Sequence, residues 1–181
     1  VVHLREDRRH IKEKDIQYII KHIKIPLQLE IAPTKFMFDY AISNNIKKVC
    51  IVPEKRKELT TEGGLDLNKN FKFLSKNLPE LINKGIEVSL FVDPNIENIE
   101  IVKKLGVNAI EVHTGSYANS NNRNKGAYLQ KIKNIVKVAK NNHIIVSAGH
   151  GLNFDNVKNI IEISGIEELN IGHFIIGEAI F

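Results

Sequence analysis

Short apolar runs rich in β-branched residues alternate along the chain with longer amphipathic stretches. The short runs read as strands over 1–4, 27–32, 48–53, 87–92, 109–113, 144–148 and 169–171, where apolar clusters of strand length are bounded by turn residues. Between them, helical patterns begin near Glu13, Thr34, Lys69, Asn95, Tyr128 and Asn153, and a last one opens after His173. Ile16, Ile19, Ile20 and Ile23 share one face at helical spacing, Thr34 and Asn95 stand where helix N-caps belong, and Gly85 and Gly106 stand where helices stop. Pro79 inside the fourth segment predicts a kink or a split, because it lacks the N–H that a helix interior needs.

Apolar strands alternating strictly with helices predict a parallel sheet covered by helices, in either an open doubly wound sheet or a barrel. From His3 to Ile171 the strand ends recur about every 28 residues, so a closed α/β barrel of the (β/α)8 or TIM type would need roughly 220 residues. No strand is followed by a G-x-G-x-x-G turn, which lowers the dinucleotide-binding alternative. The expectation is therefore one TIM-barrel domain over 1–181 with seven of its eight strands present, incomplete at both ends. The first residue is Val and the only Met is Met37, and a missing strand and helix before Val1 and a closing helix after Phe181 are expected. The segment 116–126 reads as a sharp turn.

Composition narrows the class. The 181 residues are 43% hydrophobic and 26% charged, and the lone Cys50 lies inside an apolar run, so it reads as a buried thiol and excludes a disulfide scaffold. No run approaches the ~18 apolar residues of a membrane span and no signal peptide is legible, which places the protein in the cytoplasm. The net charge of +5 comes from lysines scattered over helical segments, not from a basic stripe of the kind nucleic acid requires.

Catalytic groups of parallel α/β proteins gather at the carboxyl ends of strands. There this chain places His3 and Arg5, Glu30, Glu54 and Arg56, Asp93, Glu111 and His113, His150, and His173, one strand after another. Convergence of that many ionisable groups points to an active site, since burying them without function is costly. His22 and His143 fall elsewhere and read as structural. Gly149-His150-Gly151 and Gly172-His173 make two adjacent glycine turns before helices, a phosphate-binding arrangement whose plainer alternative is backbone geometry alone. The cluster from Arg5 to His10 could hold a second anion or could simply pair its own charges. The long loop over 53–64 reads as a lid. Glu111 and His113 could serve a metal, but no metal-binding motif is present and no lysine stands at a strand end for a Schiff base. A metal-dependent barrel hydrolase or isomerase, and a non-catalytic phosphate-binding barrel fragment, remain as alternatives.

The strings HLREDRRHI, LEIAPT, VPEKRKELTTEGGLDL, VSLFVDP, IEVHTGSYA, SAGHGLN and ELNIGH resemble, in order and spacing, the pyridoxine 5'-phosphate synthase family. The resemblance implies a TIM barrel that condenses 1-deoxy-D-xylulose 5-phosphate with 3-amino-2-oxopropyl phosphate in vitamin B6 biosynthesis, releasing phosphate and water. It implies no cofactor, no metal and a homo-octamer built from dimers. By the same resemblance His3 and Glu30 are proton acceptors, His150 is a proton donor and Glu111 stabilises the transition state. Arg5, His10 and Thr60 would hold the deoxyxylulose phosphate, and Gly151, Gly172 and His173 the amino-ketone phosphate. Ser147 and Glu178 stand where family members often carry asparagine and arginine, and the family's first strand with its N-x-D-H motif is not in this chain.

Overall fold

The computed structural model describes residues 1–54 and 63–180. Seven strands, β1 (Val2–His3), β2 (Gln28–Ile31), β3 (Lys48–Ile51), β4 (Glu87–Val92), β5 (Ala109–His113), β6 (Ile145–Gly149) and β7 (Ile166–Asn170), form one sheet in chain order. Every neighbouring pair is parallel. Eight helices lie among the described residues: α1 (Glu13–His22), α2 (Lys35–Ser43), α3 (Leu67–Asn83), α4 (Glu97–Lys104), α5 (Gly115–Ala118), α6 (Asn122–Asn141), α7 (Lys158–Ile161) and α8 (His173–Ile180).

Period-2 alternation divides each strand between two environments. Leu29, Ile31, Val49, Ile51, Leu90, Val92, Ile110, Val112, Val146 and Ala148 point to the outer face and join the main core, together with Ile16, Met37, Leu74, Leu78, Val102, Ile135 and Ile160 of the helices. Each of the Val, Leu, Ile and Met side chains among them contributes about 1.5–3 kcal/mol by leaving water. The inner face carries His3, Glu30, Cys50, Ser89, Glu111, Ser147 and Asn170, with only the small apolar cluster of Cys50, Val52 and Phe91 among them. The same alternation that builds the core thus lines the inside of the sheet with polar groups.

The sheet is strongly curled. In a flat sheet β3 and β7, four strands apart, would be separated by ~19 Å at the usual spacing, yet Lys48 Nζ donates to Glu168 Oε2 at 2.7 Å. That contact requires the strands to tilt around a common axis, as they do in a barrel. This is the predicted TIM-type architecture, with seven strands of a (β/α)8 barrel.

Several helix starts differ from the periodicity. Asp66 accepts from Lys69 N at 3.0 Å and starts α3 at Leu67. Asn121 accepts from Asn124 N at 3.2 Å and starts α6 at Asn122, well before Tyr128. The expected turn over 116–126 is therefore mostly helix, in α5 and the first turns of α6. At Asn153 the reverse holds: Asn153 and Asn156 each accept a backbone N–H of the other, at 3.0 and 2.9 Å, and this closed turn postpones α7 to Lys158. Strand β7 begins at Ile166 instead of Leu169, because Glu168 pairs with Lys48 on the inner face and so tolerates a strand position.

Pro79 does not split α3; the helix runs unbroken over Leu67–Asn83. Pro79 and Ser75, whose carbonyl loses its helical donor, are both exposed, so water can satisfy the group that proline leaves open.

Candidate active site

At one end of the inner face, His3 closes β1 and Glu30 lies beside it on β2, in register. His3 Nδ1 is 3.6 Å from Glu30 Oε2, and its Nε2 is 3.0 Å from Glu54 Oε1, just beyond β3. Glu54 is itself held by the Glu6 N–H, at 2.9 and 3.2 Å from its two oxygens. Burial alone would push the Glu54 carboxyl up; the hydrogen bonds from His3 and Glu6 N, with the charges of His3 and Arg5, overcome this and hold it below the usual carboxylate value. Glu30 goes the other way, because desolvation raises it more than the charges of His3 and the N-terminus lower it. Two carboxylates beside one imidazole are thus set to different proton affinities by their surroundings.

Glu111, in the middle of the inner face, is 2% exposed. Its Oε2 accepts from Asn170 Nδ2 at 2.6 Å and from the Cys50 thiol at 3.7 Å. Desolvation, with the negative charge of Glu30 next in size, raises its carboxyl to about 8 despite those two bonds. The Cys50 thiol is pushed up as well, by burial and by the charges of Glu111 and Glu30. It is the buried core thiol the sequence predicts. Gly149 gives Glu111 its room: a Cβ there would lie 2.4 Å from Oε1 and 2.8 Å from the Asn170 carbonyl.

His150 follows β6 with φ 82°, a left-handed conformation unusual for a residue other than glycine. Thr114 holds it there, its hydroxyl donating to the carbonyls of Gly149 at 2.7 Å and His150 at 2.6 Å. Strain of this kind costs about 1–3 kcal/mol and persists only where neighbours enforce it. The His150 ring lies 4.9 Å from that of His113, centroid to centroid. His113 is anchored in turn by Asp93 Oδ1, 2.9 Å from its Nδ1, and Asp93 also accepts the Gly64 N–H at 3.0 Å. Both rings fit because residue 115 is glycine; a Cβ there would fall 2.5 Å from His113 Nε2 and 2.8 Å from His150 Cδ2. A cavity of about 390 Å³ opens beside His113, bounded by Gly63, Asp93, Asn95, Tyr128 and Lys131.

The predicted anion sites lie at the two ends of the strand order. Arg5 is buried beside β1 and grips Asp7, Nε to Oδ1 at 3.2 Å and Nη2 to Oδ2 at 3.3 Å, while Arg9 binds the same carboxylate at 2.9 Å. The Arg5 hydrogen bond is the main reason Asp7 falls to about 2. Arg8 pairs with Glu13 at 2.6 Å. Within the cluster Arg5 and Arg9 thus share Asp7, and His10 is exposed in the same loop. At the other end, Gly151, Gly172 and His173 are all exposed, and His173 opens α8. Thr60, Arg56 and most of the expected lid lie outside the described residues. His22, on α1, bonds Tyr18 O at 2.9 Å and stacks on the Tyr18 ring, a structural role as read.

Glu54 and Asp93 are legible at strand ends without a task, and neither Asn170 nor Thr114 is legible as a site residue. Polar side chains at the ends of neighbouring strands were the available signal for the first two. For Asn170 the signal was its place on the same strand face as Glu168, hidden by the late start assigned to β7. Among the described residues, no three His, Cys, Asp or Glu side chains are grouped so as to hold a metal ion, and no helix is long and apolar enough to cross a membrane.

A family profile described as "Pyridoxal phosphate biosynthesis protein PdxJ" matches residues 1–181. A pyridoxine 5'-phosphate synthase of Zymomonas mobilis is 49% identical over 179 residues, covering 99% of this chain and 70% of that protein. One from a Sulfurihydrogenibium species is 46% identical over 183 residues, covering 99% and 75%. Among solved structures, the Amycolatopsis orientalis BexX/CysO complex aligns with TM-score 0.59 at 13% identity, covering 93% of this chain and 67% of that one. An N-acetylneuraminate lyase from Mycoplasma synoviae aligns with TM-score 0.51 at 17% identity, covering 75% and 46%. At such identities the structural likeness speaks for the fold alone.

Proposed function

The chain belongs to the PdxJ family, with the function of its pyridoxine 5'-phosphate synthase relatives in vitamin B6 biosynthesis, and from that premise we propose how its residues divide the reaction. The substrates are two small phosphorylated molecules, 1-deoxy-D-xylulose 5-phosphate and 3-amino-2-oxopropyl phosphate. Arg5, His10 and Thr60 hold the first through its phosphate, and Gly151, Gly172 and His173 hold the second. Amine and ketone condense to an imine, proton removals generate enol or enamine intermediates, phosphate leaves, and aldol-type closure with loss of water completes the ring.

The observation that carries this division is the spread of proton affinities along one polar face. Glu30, raised by desolvation, and His3 beside it stand together at the strand ends as a pair of proton acceptors. Glu111, at about 8, gives up its proton readily when positive charge develops on a neighbouring imine nitrogen, and the resulting carboxylate stabilises that charge. His150, held in place by Thr114, delivers the proton that departing water or phosphate requires. Residues 1–181 act as one barrel domain, supported by the continuous sheet and its main core. The family likeness also supports a cytoplasmic homo-octamer that works without metal or organic cofactor.

Product absorbance with both substrates and the intact enzyme tests this reading. Glu30→Gln and His150→Ala are each expected to lower kcat by about 10²–10⁴. Undiminished turnover in either variant overturns the role given to that residue.

A further inference from the structure

We propose that Glu54 is a positioning residue for His3: it accepts the Nε2 proton of the imidazole and so leaves Nδ1 as the basic nitrogen beside Glu30. This rests on the reading of His3 as a proton acceptor and adds to it the choice of nitrogen. A neutral imidazole carries one N–H, and an ionised carboxylate can only accept. With Glu54 Oε1 at 3.0 Å from Nε2, the proton of neutral His3 must therefore sit on Nε2. Among the described residues, the group nearest the other nitrogen is Glu30, whose Oε2 at 3.6 Å is beyond hydrogen-bond distance.

Glu54 is well placed to impose this. Its side chain is only 8% exposed, and the Glu6 N–H bonds both of its oxygens from the loop that follows β1. The carboxylate is thereby fixed relative to the very strand that carries His3, although Glu54 belongs to the turn after β3, two strands away. An ionised, immobilised carboxylate on one ring nitrogen sets both tautomer and ring orientation, the arrangement by which an acid orients a catalytic histidine in hydrolytic triads. Replacing the carboxylate by an amide there leaves the shape intact but lets an NH₂ face the ring, which favours the wrong tautomer.

The decisive measurements use the intact enzyme. With ¹⁵N-labelled histidine at pH 9, the His3 signals of the unaltered enzyme are expected to show a protonated Nε2 and an unprotonated Nδ1. The opposite pattern overturns the proposal without need of any variant. Glu54→Gln is expected to lower kcat by about 10²–10⁴ with KM for each substrate within about threefold, and to move the His3 signals toward the Nδ1–H form. Glu54→Asp, which keeps the charge, is expected to recover at least tenfold over the amide. A Glu54→Gln enzyme with kcat within threefold of the unaltered enzyme, or one that loses turnover while its His3 tautomer is unchanged, overturns the proposal. His3→Asn separates the two levels: if it remains fully active, the role of His3 as proton acceptor fails, whereas an inactive His3→Asn beside a fully active Glu54→Gln refutes the positioning role alone.

Discussion

Replacing Glu111 by Gln removes a buried carboxyl held far above its ordinary value and should change how stability depends on pH. In the folded chain the carboxyl titrates near 8, against 4.5 when unperturbed. Between those values the folded state keeps a proton that the unfolded state has released, so stability falls as pH rises through this window and levels off above it. The gap corresponds to ~5 kcal/mol, at about 1.4 kcal/mol per pH unit. The cause is burial first and the charge of Glu30 second, with the bonds from Asn170 and Cys50 too weak to offset them. Glutamine keeps the shape and can still accept from Asn170 but never ionises. Urea unfolding of both proteins at intervals from pH 5 to 9 should show the variant gaining on the unaltered enzyme by several kcal/mol, nearly all of it below pH 8. Parallel stability profiles would refute the assignment of a protonated, buried Glu111. Turnover of the variant should fall at every pH.

Gly149→Ala places a Cβ 2.4 Å from Glu111 Oε1 and is expected to lower kcat/KM by at least about 10²; steady-state kinetics on a variant with native circular dichroism checks it. Thr114→Val removes the hydroxyl that bonds the Gly149 and His150 carbonyls and should cost about 1–3 kcal/mol of stability as well as turnover, measured by urea unfolding and product formation. Pro79→Ala restores a donor within α3 at an exposed position and should stabilise the fold by about 1–3 kcal/mol, seen as a higher urea midpoint with unchanged kcat.

Much of the fold is written locally. All seven strands and the run of helices between them are legible, because outward apolar positions repeat with the period of each element and need no knowledge of distant residues. The candidate site residues are legible for a related reason: on a parallel sheet the residue that ends a strand stands at the edge where sites gather, whatever the strand packs against, and the family motifs suggest roles for those positions. Where caps decided a boundary, as at Asp66 and Asn121, the signal was present but weaker than the apolar period, which begins later. At Pro79 the helix is not split, because the cost of the lost hydrogen bond depends on exposure, which is a tertiary property.

What only the tertiary structure decided is who meets whom. Lys48 and Glu168 are 120 residues apart, Glu111 and Asn170 59, and His3 and Glu54 51. No window of sequence contains both partners, and each pair forms only because the sheet curls until inner-face side chains from non-neighbouring strands come within a few ångströms. That curl also excludes water from Glu111 and brings Glu30 near it, so the raised proton affinity of Glu111 belongs to the curved sheet and to no residue alone. The sequence by itself set which groups stand at the strand ends; the closing of the sheet set what each of them can do.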